Sequence, residues 1–370
     1  MTIRACQTGM ALIVLVFVVG LAATAYLMRA LNANALKIEQ DRKTAVALAE
    51  AKAALIGWSV QHATKPGTLP CPDTANSGSP QSSGSNCLSS IGRLPGKKIG
   101  IGELRDADGE CLWYAISPNF RDVISVTSRS SNPLNSTTAG TITLLDHNGA
   151  PLPVNPVIAV IISPGKPHGS QDRSGSSATF CGGNNTASNY LDTLNGHDNA
   201  SGNPVGNNLT FITAAATDSF NDRFVYISAE QLYGPLRKRI ANELKGPDEP
   251  PTGGLRMYYS SHGVYPWAGD VNGNQSSSST SGPLAYNDLT ITPSALNTWL
   301  KNNGWYALTT YRVGSSFRPG TSGYNQTCTT GCVAVRGLNT PAVVAVGGGA
   351  SAWSTRICEP NSVMTSCPAP

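Results

Sequence analysis

QTGMALIVLVFVVGLAATAYLM, residues 7–28, carries no charged side chain, and RALNANALKIEQDRKTAVALAEAKAALIGWSVQH, residues 29–62, follows it with charge but without proline. The first stretch fits two readings. A secretory signal has a basic start, an apolar core of about 7–15 residues and a small-x-small cleavage site, which Ala23-Thr24-Ala25 supplies. A transmembrane anchor needs about 17–25 apolar residues, and residues 10–28 meet that length. Both readings leave Arg4 on the cytoplasmic side and the bulk of the chain outside.

The second stretch favours retention. Leu27, Leu31, Ile38, Ala45, Leu48, Ala51, Leu55 and Trp58 recur at helical spacing, opposed by Lys37, Glu39, Arg42, Lys43 and Glu50. The pattern predicts one helix over 10–62, roughly 80 Å long at the rise of an α-helix. Residues 10–28 are its transmembrane part and 29–62 its amphipathic part, the whole segment running to residue 65. An amphipathic rod has no use in a chain cut at Ala25.

The rest of the molecule is bounded by composition. A chain of 370 residues exceeds what one ordinary core needs. Charged residues make up only 13%, Gly, Ser, Thr and Asn are abundant, and the net charge is +4, which suits a loop-rich exterior protein. Lys and Arg do not cluster among aromatics, which argues against nucleic-acid binding. Cys6 precedes the apolar run, whereas Cys71, Cys87, Cys111, Cys181, Cys328, Cys332, Cys358 and Cys367 follow it, an even number suited to disulfides in an oxidising space. Cys71 pairs with Cys87 or Cys111, Cys328 with Cys332, and Cys358 with Cys367; zinc is disfavoured because Cys-x-x-Cys spacing is missing.

Beyond Lys65-Pro66-Gly67 the chain reads as strands, turns and short helices. VIAVIIS (157–163) and AVVAVG (342–347) are continuous apolar runs, expected as buried strands. Asp106-Ala107-Asp108-Gly109 feeds the strand CLWYAIS, and a similar order recurs from Asp218, with Gly109 matching Asn221 and Tyr114 matching Tyr226; both matches predict left-handed turns before half-buried strands. Ser228-Ala-Glu-Gln231 is a capping box opening a helix that Gly234-Pro235 kinks or delays and Gly246 ends. Thr292-Pro293 starts another helix, closed by Gly304. GPDEPPTGG, residues 246–254, reads as a linker between a first head lobe, 66–245, and a second, 255–370.

Catalytic constellations are missing from the sequence. His62, His147, His168, His197 and His262 are scattered, and neither a Gly-x-Ser-x-Gly elbow nor a His-Glu-x-x-His helix occurs. Cys111 reads as half of a disulfide, and Arg237-Lys238-Arg239 as a solvated helix face. Calcium is the one cofactor the residues suggest, through Asp106 and Asp108 with Glu110 or through Asp270, Asn272 and Asn274, although polar turns explain both sets. Tyr258, Tyr259, Tyr265, Trp267, Trp299, Trp305 and Tyr306 offer either core packing or a glycan-binding surface.

Gly9-Met10 followed by ALIVLVFVVGLAATAYLM and a long amphipathic continuation resembles the N-terminus of type IV pilin-like proteins. The LPCPD, GRLP and LRDxxG…LWYAxS elements resemble large-headed proteobacterial members of that group. The resemblance implies a leader of residues 1–9, cleavage by prepilin peptidase after Gly9, methylation of Met10, and a helix packed in a filament. Val14 stands where most members carry a Glu that neutralises a neighbour's terminal amine, so a minor pilin or pseudopilin of a pilus or of type II secretion is implied, acting at initiation or at the tip. Expected helix-packing residues are Val14, Leu31, Ile38, Leu48, Leu55 and Trp58. The expected fold is α+β: a pilin-like transmembrane and amphipathic helix bearing a disulfide-braced head. The expected partners are other pilin subunits, prepilin peptidase and the inner membrane, with the head in the periplasm and later at an extracellular tip. A non-enzymatic role follows, with an adhesin and an exported enzyme cut at Ala25 as alternatives.

Overall fold

The computed structural model describes residues 8–129, 132–176, 178–247, 250–321, 328, 330–335, 338–347 and 353–357. Helix α1 (Thr8–Gln61) is one unbroken helix of 54 residues, as its proline-free, alanine-rich sequence predicts. The short α2 (Gly96–Ile99), then α3 (Ala229–Lys245), α4 (Gly254–His262) and α5 (Ser294–Asn302) complete the α-helices among the described residues. The strands that organise the packing are β1 (Ile91–Arg93), β2 (Trp113–Ile116), β3 (Ile142–Leu145), β4 (Ala159–Ser163), β5 (Leu209–Ile212), β6 (Arg223–Ile227), β7 (Ser281–Gly282), β8 (Thr309–Val313), β9 (Ala342–Val346) and β10 (Trp353–Ile357).

One antiparallel sheet has the order β6-β4-β2-β1 and another the order β7-β8-β9-β10, while β3 and β5 form a parallel pair. Strand β4 is buried along its whole length because both faces of its sheet are covered. Alternation divides β2 accordingly. Tyr114 and Ile116 join the cluster containing Leu48 and Leu55 of α1, whereas Trp113 and Ala115 join Val160, Ile162, Tyr190 and Phe211 on the opposite face. Arg93 is buried with that second group, its guanidinium 5.1 Å from the Trp113 ring and 4.3 Å from the Tyr190 ring.

The fold is mixed α/β, which corrects the expected α+β protein with a membrane-crossing helix and a two-lobed head. No helix of the described residues is long and apolar enough to cross a membrane. The lobes also share one core, in which Leu69, Leu134 and Leu236 lie in the same cluster as Trp299, Trp305, Tyr311 and Val344. Hydrogen bonds cross the expected boundary: Trp299 Nε1 donates to Pro66 O at 3.2 Å, Trp305 Nε1 to Leu134 O at 3.0 Å, and Leu134 N to Asn303 Oδ1 at 2.6 Å. The ends of the expected linker meet, because a Cβ on Gly246 would lie 1.9 Å from Gly253 O, and Gly246 adopts φ +85°. Glycine is required there on both counts.

Other expectations resolve locally. The Ser228–Gln231 capping box forms, and α3 passes through Pro235 instead of being delayed by it. The two similar turn-and-strand segments become β2 and β6, which flank β4. Their tyrosines are not equivalent: Tyr114 pairs with Ile161 and Tyr226 with Val160, one register step apart, so they face opposite sides. Gly109 has φ +86°, but Asn221 is not among the described residues with positive φ.

Candidate functional site: the N-terminal helix and its seat on the head

Two environments divide α1. Leu15, Val16, Phe17, Val18, Val19 and Leu21 are each 58% to 69% exposed, and they follow one another around the helix, not along one stripe. Enclosing such a side chain is worth about 1.5–3 kcal/mol, so this surface has a strong drive to be covered on every side. From Thr44 onward the helix is embedded: Ala47, Leu48, Ala51 and Leu55 are buried at three- and four-residue intervals against the head. Leu48 and Leu55 therefore pack within the chain itself, which corrects their expected role in packing against neighbouring chains. Trp58 is half-buried, edge-on to His62 and beneath Lys98. Ile38 is exposed, and the side chains of Val14 and Leu31 lie outside the described ones. Gly9 and Met10 fall in the first turns of α1, also without described side chains.

Where α1 meets the head, polar contacts fix its direction. Asp41 accepts a hydrogen bond from Arg223, Thr44 Oγ1 accepts one from Ala107 N at 3.1 Å, and Lys52 lies over the Tyr226 ring. A cavity of about 490 Å³ opens beside this junction, lined by Leu36, Lys37, Gly165, Lys166, Thr217 and Asn221 among others.

Asp106, one of the calcium candidates, is the hinge pin of the junction. It is fully buried, with Oδ1 accepting from Asp108 N and Glu110 N and Oδ2 from Ser163 Oγ and Gly165 N, at 2.8–3.0 Å. Burial and the neighbouring Asp106 raise the Asp108 carboxyl above its ordinary value. In the second candidate set, Asp270 Oδ1 accepts from Asn272 N and Asn274 N at 2.9 Å, and those backbone donors lower its carboxyl. Asn287 Nδ2 donates to Asn274 Oδ1 at 2.9 Å. Peptide N–H groups and the Ser163 hydroxyl thus occupy both Asp106 oxygens, and peptide and amide donors occupy Asp270 Oδ1 and Asn274 Oδ1. Among the described residues, no group of three or more His, Cys, Asp or Glu is arranged to hold a metal.

The C-terminal end of α1 has no basic residue in its last turn, so the head supplies the cations that its carbonyls and dipole favour. Arg239 of α3 donates to Val60 O and, at 2.9 Å, to His62 O. His62 Nδ1 accepts from Lys65 N at 3.0 Å. Burial, followed by Lys65, Lys98 and Arg239, pushes the His62 imidazole down to about 4. Arg237-Lys238-Arg239 is therefore not a plain solvated face: Arg237 is buried and Arg239 caps the helix.

Disulfides Cys71–Cys87 and Cys328–Cys332 match expected pairs, and Cys111 pairs with Cys181, a partnership the sequence reading missed. Cys358 and Cys367 lie outside the described residues. Tyr259, Tyr265, Trp299, Trp305 and Tyr306 are buried, leaving Tyr258 and Trp267 half-exposed, so most of the proposed glycan surface is core. His168 is bonded to the buried Asp192 at 2.7 Å within a loop network that the sequence did not reveal. No protein-family model, curated protein or solved structure matches the chain.

Proposed function

We propose that this chain is a non-enzymatic structural subunit of a type IV pilin-like filament, a minor pilin or pseudopilin acting at initiation or at the tip. The observation that carries the reading is the exposed apolar run Leu15–Leu21 on a helix whose other half is locked into the head. A rigid helix delivers that surface to neighbours without loosening the fold, and burial at about 25 cal/mol per Å² supplies assembly energy. The disulfides suit an oxidising exterior space. Val14 fits a subunit that meets no terminal amine above it.

Mass spectrometry of the mature chain tests the reading. Cleavage after Gly9 with a methylated Met10 is expected, and a product starting at Tyr26 would overturn it. Pull-down with the full chain should recover other pilin-like subunits through α1.

A further inference from the structure

Two carboxylates the filament reading does not use lie buried together in the head. Asp192 and Asp222 are 2% and 1% exposed. Asp192 Oδ1 accepts from His168 Nε2 at 2.7 Å and Gln171 Nε2 at 2.9 Å, and its Oδ2 from Asn221 N at 2.6 Å and Asp222 N at 3.2 Å. Asp222 Oδ2 accepts from Asp192 N and Asn199 Nδ2, both at 2.9 Å, whereas its Oδ1 has no hydrogen-bond partner. The donor supply is therefore lopsided. Asp192 has what an anion needs and Asp222 does not.

We propose that Asp192 and Asp222 form a proton-operated latch, with His168 as its contact with solvent, holding the 164–173 loop against the 217–222 loop beside α1. The latch is closed while Asp222 keeps its proton. The charged groups that act on the pair or adjoin it are already engaged. Arg173, the cation acting on Asp222, lies 3.3 Å from Glu110 and donates to Gly165 O and Asn189 O. Arg223, next in sequence, turns to Asp41. His168 serves Asp192, and its side chain is 23% exposed, giving the buried pair a route to water.

Burial, reinforced by the Asp192 charge, pushes the Asp222 carboxyl well above the ordinary carboxylate range. A carboxyl raised in the closed state favours closure at low pH. Its contribution is complete below the open-state value of about 4, declines through the window up to the raised value, and is gone above it. Opening moves Gly165, Lys166, Thr217 and Asn221, which line the cavity beside Leu36 and Lys37 of α1. Rising pH thus loosens the seat of the helix. The proposal stands whether or not the chain enters a filament.

Amide exchange on the full chain, followed by mass spectrometry across a pH series, tests it. Protection factors in peptides covering 189–192 and 217–222 should fall about tenfold per pH unit within that window, as release of one proton requires, while those of β4 stay flat. Asp222→Asn should abolish the slope. Should that variant not fold, the carbon-13 carboxyl resonance of Asp222 in the wild-type chain decides, and titration in the ordinary carboxylate range would overturn the latch. A flat wild-type profile, an unchanged slope in Asp222→Asn, or protection that follows added calcium or EDTA instead of pH would overturn it as well.

Discussion

Asp106 and His62 anchor opposite ends of the embedded part of α1, and each gives a prediction that rests on one side chain. Asp106→Asn turns an amide donor toward groups that already donate, Ser163 Oγ or Gly165 N, in a fully buried place. A loss of about 2–4 kcal/mol of unfolding free energy is expected in urea titrations, with no dependence on calcium. His62 must stay neutral to accept from Lys65 N, and its value of about 4 lies below the 6.5 of a free imidazole. A depressed histidine stabilises the fold above the unfolded value and stops doing so as pH falls from about 6.5 to about 4. The ring is only partly buried, so solvent screening leaves about 1–2 kcal/mol of the effect. His62→Gln retains an acceptor and should flatten the difference in urea midpoint between pH 7 and pH 4.5.

The helix itself separates two roles that the sequence could not assign. Leu48→Ala or Leu55→Ala should cost about 2–5 kcal/mol in thermal or chemical unfolding, because both side chains leave a cavity in the core. Ile38→Ala, at an exposed position, should leave stability within about 0.5 kcal/mol and act on co-assembly alone. The existence of α1, the capping box of α3 and the buried runs of β4 and β9 were legible in the sequence because each is set by neighbours a few residues away. The split of α1 into an embedded and an exposed half was not, since the same apolar spacing serves a core and a helix bundle equally well. Nor could the sequence show the Arg239 cap, the Cys111–Cys181 pair or the Asp192–Asp222 pair, which join residues far apart in the chain. The Cys111–Cys181 link closes a loop of 70 residues, and replacing both cysteines by serine should cost about 4 kcal/mol in guanidinium unfolding.

At the scale of the whole molecule, one core among the described residues ties segments from Leu69 to Val346 to the embedded half of α1, so the early and late parts of the head pack together. The expected lobes failed because Pro, Gly and acidic residues in 246–254 look like a tether, while its ends meet at Gly246 against Gly253, and Gly254 N, donating to Thr290 O at 2.8 Å, ties the segment to the later part of the chain. On the proposed filament role, a head tied to the embedded half of α1 and an apolar run exposed around the other half let the helix set the position of the chain among its neighbours. Replacing exposed apolar residues with charge tests that division of labour. Phe17→Lys combined with Val18→Lys alters surface that the head does not touch, so the unfolding midpoint should stay within the range of ordinary surface changes, about 0.5 kcal/mol. Each lysine inserted among apolar helices would carry an unpaired charge out of water, a cost of several kcal/mol. Incorporation into filaments, followed by immunogold labelling of the head, should therefore vanish in the double variant. In the wild type the label should sit at filament ends, and label along the whole length would rule out the tip assignment while leaving the helix-driven assembly intact.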